Sequence, residues 1–454
     1  MRWFRKTSPE ALTEGHLLKA TIGLTTPMLV GAILQNTLSL IDLFWVGRLG
    51  GAAVAAVAMA GTIVMVLFPM LMGLSTGTIA LVARAVGARK TDEAAGIAGQ
   101  SLMLALVLGG VAAALGWVWA DDLFRLLGAA PDVAASGEAF LRILLLGSVT
   151  VFVLFIGNAA LQGAGDAVTP MVVMAISNIV NIVIAPFLIF GIGPFPRLEV
   201  RGAAWATVFS QAVAAAVSLY YLFSGRTNLH VRWSHWKPEP GLAWRILRIG
   251  IPGSGQMLSR SLMNAVMMRI VAGCGTAAVA AYGVGLRLHM IVLMPAFALG
   301  GAAATMVGQN LGAGKPARAR RAAWLATGLD AAIMAVSALV LMAFAPALIR
   351  VFNAEREVVE IGARYLRIVS PFYVFTALGI VLGRALNGAG DSVAPMIITV
   401  LTLWGLQVPL AIEFARLWQP ATVGIWWAII AAMTVNGLLI AGWFETGRWT
   451  RKRV

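Results

Sequence analysis

Charged residues are scarce in this sequence. Only 12% of its 454 residues are Asp, Glu, Lys or Arg, and 60% are hydrophobic, whereas soluble proteins average about 25% charged residues. A soluble chain cannot hide so much apolar surface, because apolar and polar groups must share the outside of a folded domain. The shortage of charge therefore excludes a soluble enzyme, a disordered chain and a collagen-like chain, and it predicts a protein embedded in lipid.

Cysteine and histidine are also rare. Cys274 is the only cysteine, so neither an intramolecular disulfide nor a cysteine-based metal cluster can form. Three of the four histidines lie outside the apolar segments, and none belongs to a His-x-x-x-His or Glu-x-x-His pair. We expect a protein that is not an enzyme and that needs no cofactor. A membrane-embedded enzyme stays open as an alternative, because residues far apart in the sequence can converge in the fold.

The chain repeats itself once, with an offset of 225 residues. The sequence AAVAA at residues 52–56 recurs at residues 277–281, and LQGAGD at 161–166 recurs as LNGAGD at 386–391. An offset that holds over more than 100 residues indicates a duplicated unit. We therefore predict two homologous halves, residues 1–225 and 226–454. Transport sites commonly lie between such repeats.

Each half contains six apolar segments long enough to cross a bilayer. They are residues 19–45, 54–83, 95–119, 138–162, 169–190, 202–223, 249–271, 279–308, 322–346, 362–386, 395–415 and 422–443. An even number of crossings gives both halves the same orientation. The predicted fold is an all-α integral membrane protein with twelve transmembrane helices in two six-helix lobes, related by a pseudo-two-fold axis along the membrane normal.

The net charge of +15 indicates orientation rather than a nucleic-acid partner. With both termini in the cytoplasm, 20 of the 34 Lys and Arg residues fall in inside segments and about 7 in outside loops. We expect a multi-pass protein of the cell (inner) membrane whose partners are the lipid bilayer and small drug-like substrates. We predict no nucleic-acid binding and a monomeric state.

Asp42 is the first candidate functional group, because an acidic residue inside a spanning helix is costly and is usually functional. Gln35 precedes it by seven residues, so both side chains share one helix face. The equivalent position of the second half is Met267, which shows that the carboxylate is not common to both halves. The alternative interpretation is a side chain that reaches the outer membrane interface. The functional interpretation is a carboxylate that exchanges a proton or cation for substrate.

Two further acids lie within the apolar segments and are secondary candidates. Asp330 falls mid-depth in the ninth segment and Glu413 near the outer end of the eleventh. The structural interpretation of each is an ion pair with an intramembrane arginine such as Arg260 or Arg287, or a side chain that reaches the membrane interface. The functional interpretation stays open for both, and Arg287 is a further secondary candidate. Pro27 in the first segment permits bending, since a membrane proline frees a backbone carbonyl.

These motifs resemble those of the multidrug and toxic compound extrusion (MATE) family over about residues 15–445. The resemblance rests on IDLFWVGRLG at residues 41–50, on the doubled GAGD, and on VGQNLGAGK at residues 307–315. It implies two six-helix lobes around a central cleft and export of lipophilic, often cationic drugs in exchange for H⁺ or Na⁺. Members of the NorM-like branch typically carry acidic residues in the seventh, eighth and tenth helices. Here these segments lack Asp and Glu, so the chain is more similar to the DinF-like branch.

The resemblance also implies site residues. Asp42 matches the family's first-helix carboxylate, Asn181 the fifth-helix asparagine, and Thr207 a sixth-helix threonine. Asn158 is expected to face the same cavity. We predict that Asp42, Asn181 and Thr207 couple transport to an ion, and that Gln35, Asn158 and Pro27 belong to the substrate cavity.

The sequence departs from the family at Ala185, where a second carboxylate often follows Asn181. A Na⁺ site prefers several hard oxygen ligands with negative charge, so the loss of one carboxylate weakens a site at Asp42 and Asn181. A single buried carboxylate remains able to carry a proton. The sequence therefore favours H⁺ over Na⁺ as the coupling ion.

The sequence therefore predicts a multidrug efflux antiporter that works by alternating access. The alternative is a flippase of related architecture for a lipid-linked oligosaccharide or a lipid. The oligosaccharide form would need an arginine-lined cleft to hold pyrophosphate. The arginines that make this conceivable are Arg260, Arg269, Arg287 and Arg384.

Overall fold

A computed structural model describes residues 9–126 and 131–452 of the chain. Within these residues every regular element is a helix, because backbone groups in lipid must be satisfied inside their own segment. The helices of the first half are α1 (Pro9–Thr13), α2 (Leu17–Gly47), α3 (Gly51–Val64), α4 (Phe68–Gly87), α5 (Thr91–Leu126), α6 (Pro131–Leu146), α7 (Ser148–Gly163), α8 (Val168–Phe190) and α9 (Glu199–Phe223).

The second half follows a linker that contains a short 3₁₀ turn, Trp233–Trp236. Its helices are α10 (Pro240–Ala272), α11 (Thr276–Gly312), α12 (Pro316–Ala343), α13 (Ala345–Arg350), α14 (Arg356–Val369), α15 (Tyr373–Ala377), α16 (Gly383–Gly388), α17 (Val393–Val400), α18 (Val408–Leu417) and α19 (Ala421–Glu445). Two π-helical segments, Leu378–Leu382 and Leu401–Gln407, join α15 to α16 and α17 to α18.

The twelve predicted crossings are present. Ten described helical spans are long and apolar enough to cross a membrane, and the bent pair of α6 and α7 makes an eleventh. The twelfth is α10, whose 33 residues include Gln256, Ser259 and Arg260 and are less apolar on average. These polar residues reduce the mean hydropathy of α10. Gln256 and Arg260 face the space between the lobes, where polar side chains are tolerated.

Among the predicted segments, the second and the fourth are clear examples that are not single straight helices. The second segment, 54–83, divides into α3 and α4 at residues 65–67, and Pro69 occupies the first turn of α4, where proline is tolerated. The fourth segment, 138–162, bends by 45° between α6 and α7. In contrast, α2 and α10 run continuously through Pro27 and Pro252. A continuous apolar run thus did not reveal where the helices break.

The repeated GAGD sequences form the predicted turns between helices. Gly165 and Gly390 adopt φ values of 86° and 84°, which favour glycine. The Asp166 carboxylate accepts hydrogen bonds from the backbone nitrogen of Thr169 at 2.9 Å and from its hydroxyl at 2.7 Å. It therefore stabilises the start of α8, as expected for an acidic residue at a helix N-terminus.

The two halves pack through a symmetric contact. A Cβ atom added to Gly87 would lie 2.0 Å from the carbonyl oxygen of Gln309, and one added to Gly312 would lie 2.1 Å from that of Arg84. Gly312 and Gln309 are the repeat equivalents of Gly87 and Arg84. Reciprocal contacts of this kind are the mark of a two-fold relation between two bodies, here the two lobes of one chain.

Side chains extend the same symmetry to the GAGD turns. The Arg84 guanidinium donates to the Ala389 carbonyl at 2.9 Å, and the Gln309 amide donates to the Gly163 carbonyl at 3.0 Å. Each lobe thus holds the turn of the other. The glycines at the contact leave no room for side chains, and close backbone approach through small residues is the usual basis of helix packing in lipid.

The contacts between the lobes concentrate at the end that carries the chain termini. The Arg84 guanidinium also donates to the Lys452 carbonyl at 2.8 Å, and the Asn310 amide donates to the Leu12 carbonyl at 3.2 Å. Helices α3, α6, α8 and α9 pack chiefly within the first lobe, and α14, α18 and α19 within the second. The lobes are therefore joined at this end, whereas these helices of the two lobes have few contacts with each other.

Candidate functional site

Three predicted residues from separate helices meet inside the first lobe. The Thr207 hydroxyl on α9 lies 3.4 Å from Oδ2 of Asp42 on α2, and Nδ2 of Asn181 on α8 lies 3.4 Å from the same hydroxyl. The hydroxyl also lies 3.0 Å from the Ala203 carbonyl. Together they form a polar row, Asn181 to Thr207 to Asp42, across three helices of an otherwise apolar lobe.

Neighbouring residues hold these helices in place. The Asn178 amide donates to the Leu34 carbonyl at 2.7 Å and so fastens α8 to α2 one turn before Asn181. Ala185 lies one turn after Asn181 and is 1% exposed. The position that often carries a second carboxylate is therefore filled by a methyl group in the packed core, and it offers no oxygen to an ion.

The Asp42 side chain is partly buried and is directed toward α9 through its contact with Thr207. A carboxylate that reached the membrane interface would turn away from the neighbouring helices. Gln35, two turns earlier on α2, is also partly buried. The geometry thus favours a role inside the lobe over the interfacial interpretation of Asp42.

Two predicted cavity residues lie apart from this row. The side-chain oxygen Oδ1 of Asn158 on α7 accepts a hydrogen bond from the Ser218 hydroxyl at 3.4 Å. Ser218 follows Thr207 by eleven residues on α9, which is about 16 Å of helix rise. Pro27 is buried inside α2. The structure therefore brings together Asp42, Asn181 and Thr207, but neither Asn158 nor Pro27 joins them.

The row offers few oxygen atoms to a metal ion. The side-chain oxygens nearby are those of one carboxylate, the Thr207 hydroxyl and Oδ1 of Asn181, and the Ala203 carbonyl adds a backbone oxygen. Oδ1 of Asn181 is buried without a hydrogen-bond partner. In the part of the chain that the structure describes, no three His, Cys, Asp or Glu residues cluster as metal ligands. The donor set suits one proton or one weakly held monovalent cation.

In the described structure, neither secondary acid pairs with Arg260 or Arg287. Both carboxylate oxygens of Asp330 are buried on α12 without a hydrogen-bond partner in the described structure. Glu413 lies 3.4 Å from Arg416, and both side chains are largely exposed. Arg287 is exposed on α11. Spacing along the sequence could not show which faces these residues occupy, and the faces place them apart.

A cavity that the sequence did not localise lies where α4 of the first lobe meets α10, α11 and α16 of the second. It measures about 500 Å³, including the space open to solvent, and both Arg260 and Arg384 line it. Arg260 also lines an adjoining cavity of about 370 Å³, which likewise includes the space open to solvent. Among the residues lining either cavity there is no Asp or Glu. The second lobe thus contributes positive charge to the cavity wall, whereas the acidic group Asp42 lies inside the first lobe.

The sequence carried a partial signal for this cavity. Arg260 and Arg384 stand out as charges within apolar segments, but two others, Arg269 and Arg287, do so as well and are exposed. Only the packing of α10 and α16 against α4 separates the pair that lines the cavity from the pair that does not.

The MatE family model matches this chain twice, at residues 27–187 and 252–412. The second match begins and ends 225 residues after the first, which is the offset of the internal repeat. The chain is 29% identical over 432 residues to a probable multidrug resistance protein, YoeA, from Bacillus subtilis, and the match covers 94% of this chain and 93% of YoeA. It is 31% identical over 401 residues to an FAD transporter from Shewanella oneidensis, with coverage of 87% and 88%.

The fold also matches solved structures. One of them, an outward-facing conformation of a multidrug resistance MATE family transporter, superposes with a TM-score of 0.90 at 27% identity, covering 99% of this chain and 100% of that one. The double match to the family model covers most of the chain, and the arrangement of two six-helix lobes accompanies it. This chain therefore belongs to the MatE family, whose members are membrane transporters rather than enzymes.

Proposed function

We propose that this chain is a proton-coupled antiporter that exports lipophilic, cationic small molecules by alternating access. The observation that carries the proposal is the row of Asp42, Thr207 and Asn181, in which a single carboxylate of a spanning helix faces neighbouring helices. Relatives named as multidrug resistance proteins support the drug-like substrate class. A carboxylate within the membrane can attract either a cationic substrate or a proton, but not both at once.

Competition for Asp42 supplies the coupling. When Asp42 is ionised, it attracts a cationic substrate toward the first lobe. Protonation removes that charge, lowers the affinity for the substrate, and lets α2 bend near Pro27. The freed carbonyl that precedes a membrane proline makes such a bend inexpensive. Substrate thus leaves on the side from which the proton enters.

The proton is favoured over Na⁺ as the coupling ion. Ala185 leaves the row with one carboxylate, and Na⁺ sites draw on several hard oxygen ligands. Oδ1 of Asn181, which has no hydrogen-bond partner, is the atom that would assist Na⁺ if Na⁺ bound there. The choice between the two ions therefore depends on Asp42 and Asn181.

The proposal includes the placement of the protein. We place the protein in the cell (inner) membrane. The excess of Lys and Arg at the termini and in the loops of the same side indicates that both termini face the cytoplasm. The closed contact between the lobes then faces the cytoplasm, and the cleft faces outward. Because the polar row and the arginine cavity both lie within one chain, a monomer suffices, with lobes at residues 1–225 and 226–454.

The experiment is exchange transport by purified protein in proteoliposomes with a fluorescent cationic dye. A proton gradient and a Na⁺ gradient are imposed separately. Dye movement driven by the proton gradient alone supports the proposal. Movement driven only by the Na⁺ gradient contradicts the ion assignment, and no dependence on either gradient contradicts antiport.

A second candidate function is movement of a phosphate-bearing molecule, such as a lipid-linked oligosaccharide carried on pyrophosphate. The arginine-lined cavity favours it, because guanidinium groups bind phosphate well, and one relative is an FAD transporter. Drug resistance on expression, without any change in cell-wall synthesis, would argue against the flippase form of this candidate.

A further inference from the structure

Arg260 and Arg384 are the two charges that line the cavity between the lobes. Neither forms a hydrogen bond or an ion pair with any residue in the ranges 9–126 and 131–452. Arg384 lies with its guanidinium carbon 5.3 Å from the centre of the Phe297 ring. Two cations that share a cavity without a carboxylate repel each other and retain unsatisfied donors.

Asn387 adds a polar group to the same wall. It is 8% exposed, it lines the cavity, and its Oδ1 is buried without a hydrogen-bond partner. It lies one turn after Arg384 on α16, so both side chains reach the cavity from the same helix face. The cavity therefore has an unused hydrogen-bond acceptor beside its two cations.

The positive charge is specific to the second lobe. Arg260 occupies the position equivalent to Gln35 in the repeat, and Arg384 the position equivalent to Ala159. The duplication alone therefore does not account for the arginines. The cavity also takes Met72 and Thr76 from α4 of the first lobe, so a bound molecule would contact both lobes. Contact with both lobes is what a transported molecule needs in order to respond to their movement.

We propose that this cavity binds the phosphomonoester of a transported organic anion between Arg260 and Arg384. A phosphomonoester carries about −1.5 to −2 charges near neutral pH, which balances two guanidinium groups, whereas a carboxylate or a phosphodiester balances only one. Guanidinium groups also offer paired donors that match phosphate oxygens. Phe297, Met72 and Met257 supply an apolar wall for the organic part. This sharpens the second candidate function and does not depend on ion coupling at Asp42.

The test compares riboflavin 5′-phosphate with riboflavin, which differ only by the phosphate, through flavin fluorescence anisotropy on the purified protein in detergent. We expect the phosphate to strengthen binding by about tenfold to a hundredfold. Arg260→Gln and Arg384→Gln should remove this preference and leave riboflavin binding unchanged. Arg384→Lys, which keeps the charge but not the fork of donors, should retain part of it.

The matched control is Arg364→Gln, which removes an exposed charge of the same lobe and should leave the preference intact. Equal affinity for the two flavins, or an unchanged preference in both glutamine variants, would overturn the proposal. If a glutamine variant fails to fold, the wild-type comparison and Arg384→Lys still decide. Displacement of the phosphorylated flavin by an equal concentration of phosphatidylglycerol would show a lipid headgroup as the occupant and would also overturn it. An Asp42→Asn variant should bind both flavins as the wild type does, which separates this test from the coupling experiment.

Discussion

The Thr207 hydroxyl lies 3.4 Å from Oδ2 of Asp42 and 3.0 Å from the Ala203 carbonyl. A hydroxyl has one proton to donate, so it can serve only one of these acceptors at a time. An ionised Asp42 competes for that proton, whereas a protonated Asp42 leaves it to Ala203. Through Thr207, the ionisation state of Asp42 on α2 thus affects the hydrogen bonding of the α9 backbone.

Replacing Thr207 by valine should slow proton-driven transport. Valine keeps the shape of threonine and removes the donor to Asp42, and the loss of one hydrogen bond of this length corresponds to about a fivefold to tenfold decrease in rate. Thr207→Ser keeps the hydroxyl and should transport at close to the wild-type rate. Dye efflux from proteoliposomes under a fixed proton gradient measures both variants. Equal rates for valine and serine would remove Thr207 from the coupling row.

Gly87→Val should prevent the lobes from closing at the end that carries the termini. A Cβ atom at Gly87 would lie 2.0 Å from the Gln309 backbone oxygen, and backbone cannot move aside without separating the lobes. The opposite end should then close. Spin labels at the exposed positions Ala52 and Thr276, in a Cys274→Ser background, report the distance across the cleft.

The expected result is a shift of this distance distribution to shorter values, together with loss of transport. The matched control is Gly96→Val, because a Cβ atom at Gly96 meets no atom within 4 Å. It should keep the wild-type distances. An unchanged distribution in Gly87→Val would mean that the close contact of the lobes does not govern the state of the cleft.

Asp330→Leu should stabilise the protein. Both carboxylate oxygens of Asp330 are buried on α12 without a hydrogen-bond partner, and an unpaired buried polar group is destabilising compared with an apolar group of similar volume. We expect the melting temperature in detergent to rise by about 2 °C or more, with transport retained. The contrasting variant is Asp166→Ala, which removes the partner of Thr169 and should lower it. Loss of transport in Asp330→Leu would instead place Asp330 in the ion pathway.

The sequence predicted most of the fold because lipid imposes a simple length and composition on each crossing. It also placed Asp42, Asn181 and Thr207 in one group, since a family motif identified each of them. It did not predict the division of the second segment at residues 65–67, because the apolar pattern continues through the break. Nor did it show that Gly73 and Gly77 of the continuous helix α4 face α10.

The roles of the intramembrane arginines were beyond the sequence for a different reason. Charge in an apolar segment predicts a partner, and Asp330 and Glu413 were the natural partners by composition. The structure shows that Asp330 is unpaired and that Glu413 contacts Arg416. Which helix face meets the other lobe depends on packing between distant segments, and one sequence does not record that packing.

The measurement that tests the central claim most directly is the pH dependence of dye exchange by wild-type protein and by Asp42→Asn in proteoliposomes. Asparagine keeps the size and the hydrogen-bonding partners of the aspartate but cannot ionise. The account predicts that wild-type exchange varies with pH and is driven by a proton gradient, whereas Asp42→Asn exchange is insensitive to both. Asp42→Asn exchange with the wild-type pH dependence would contradict the account.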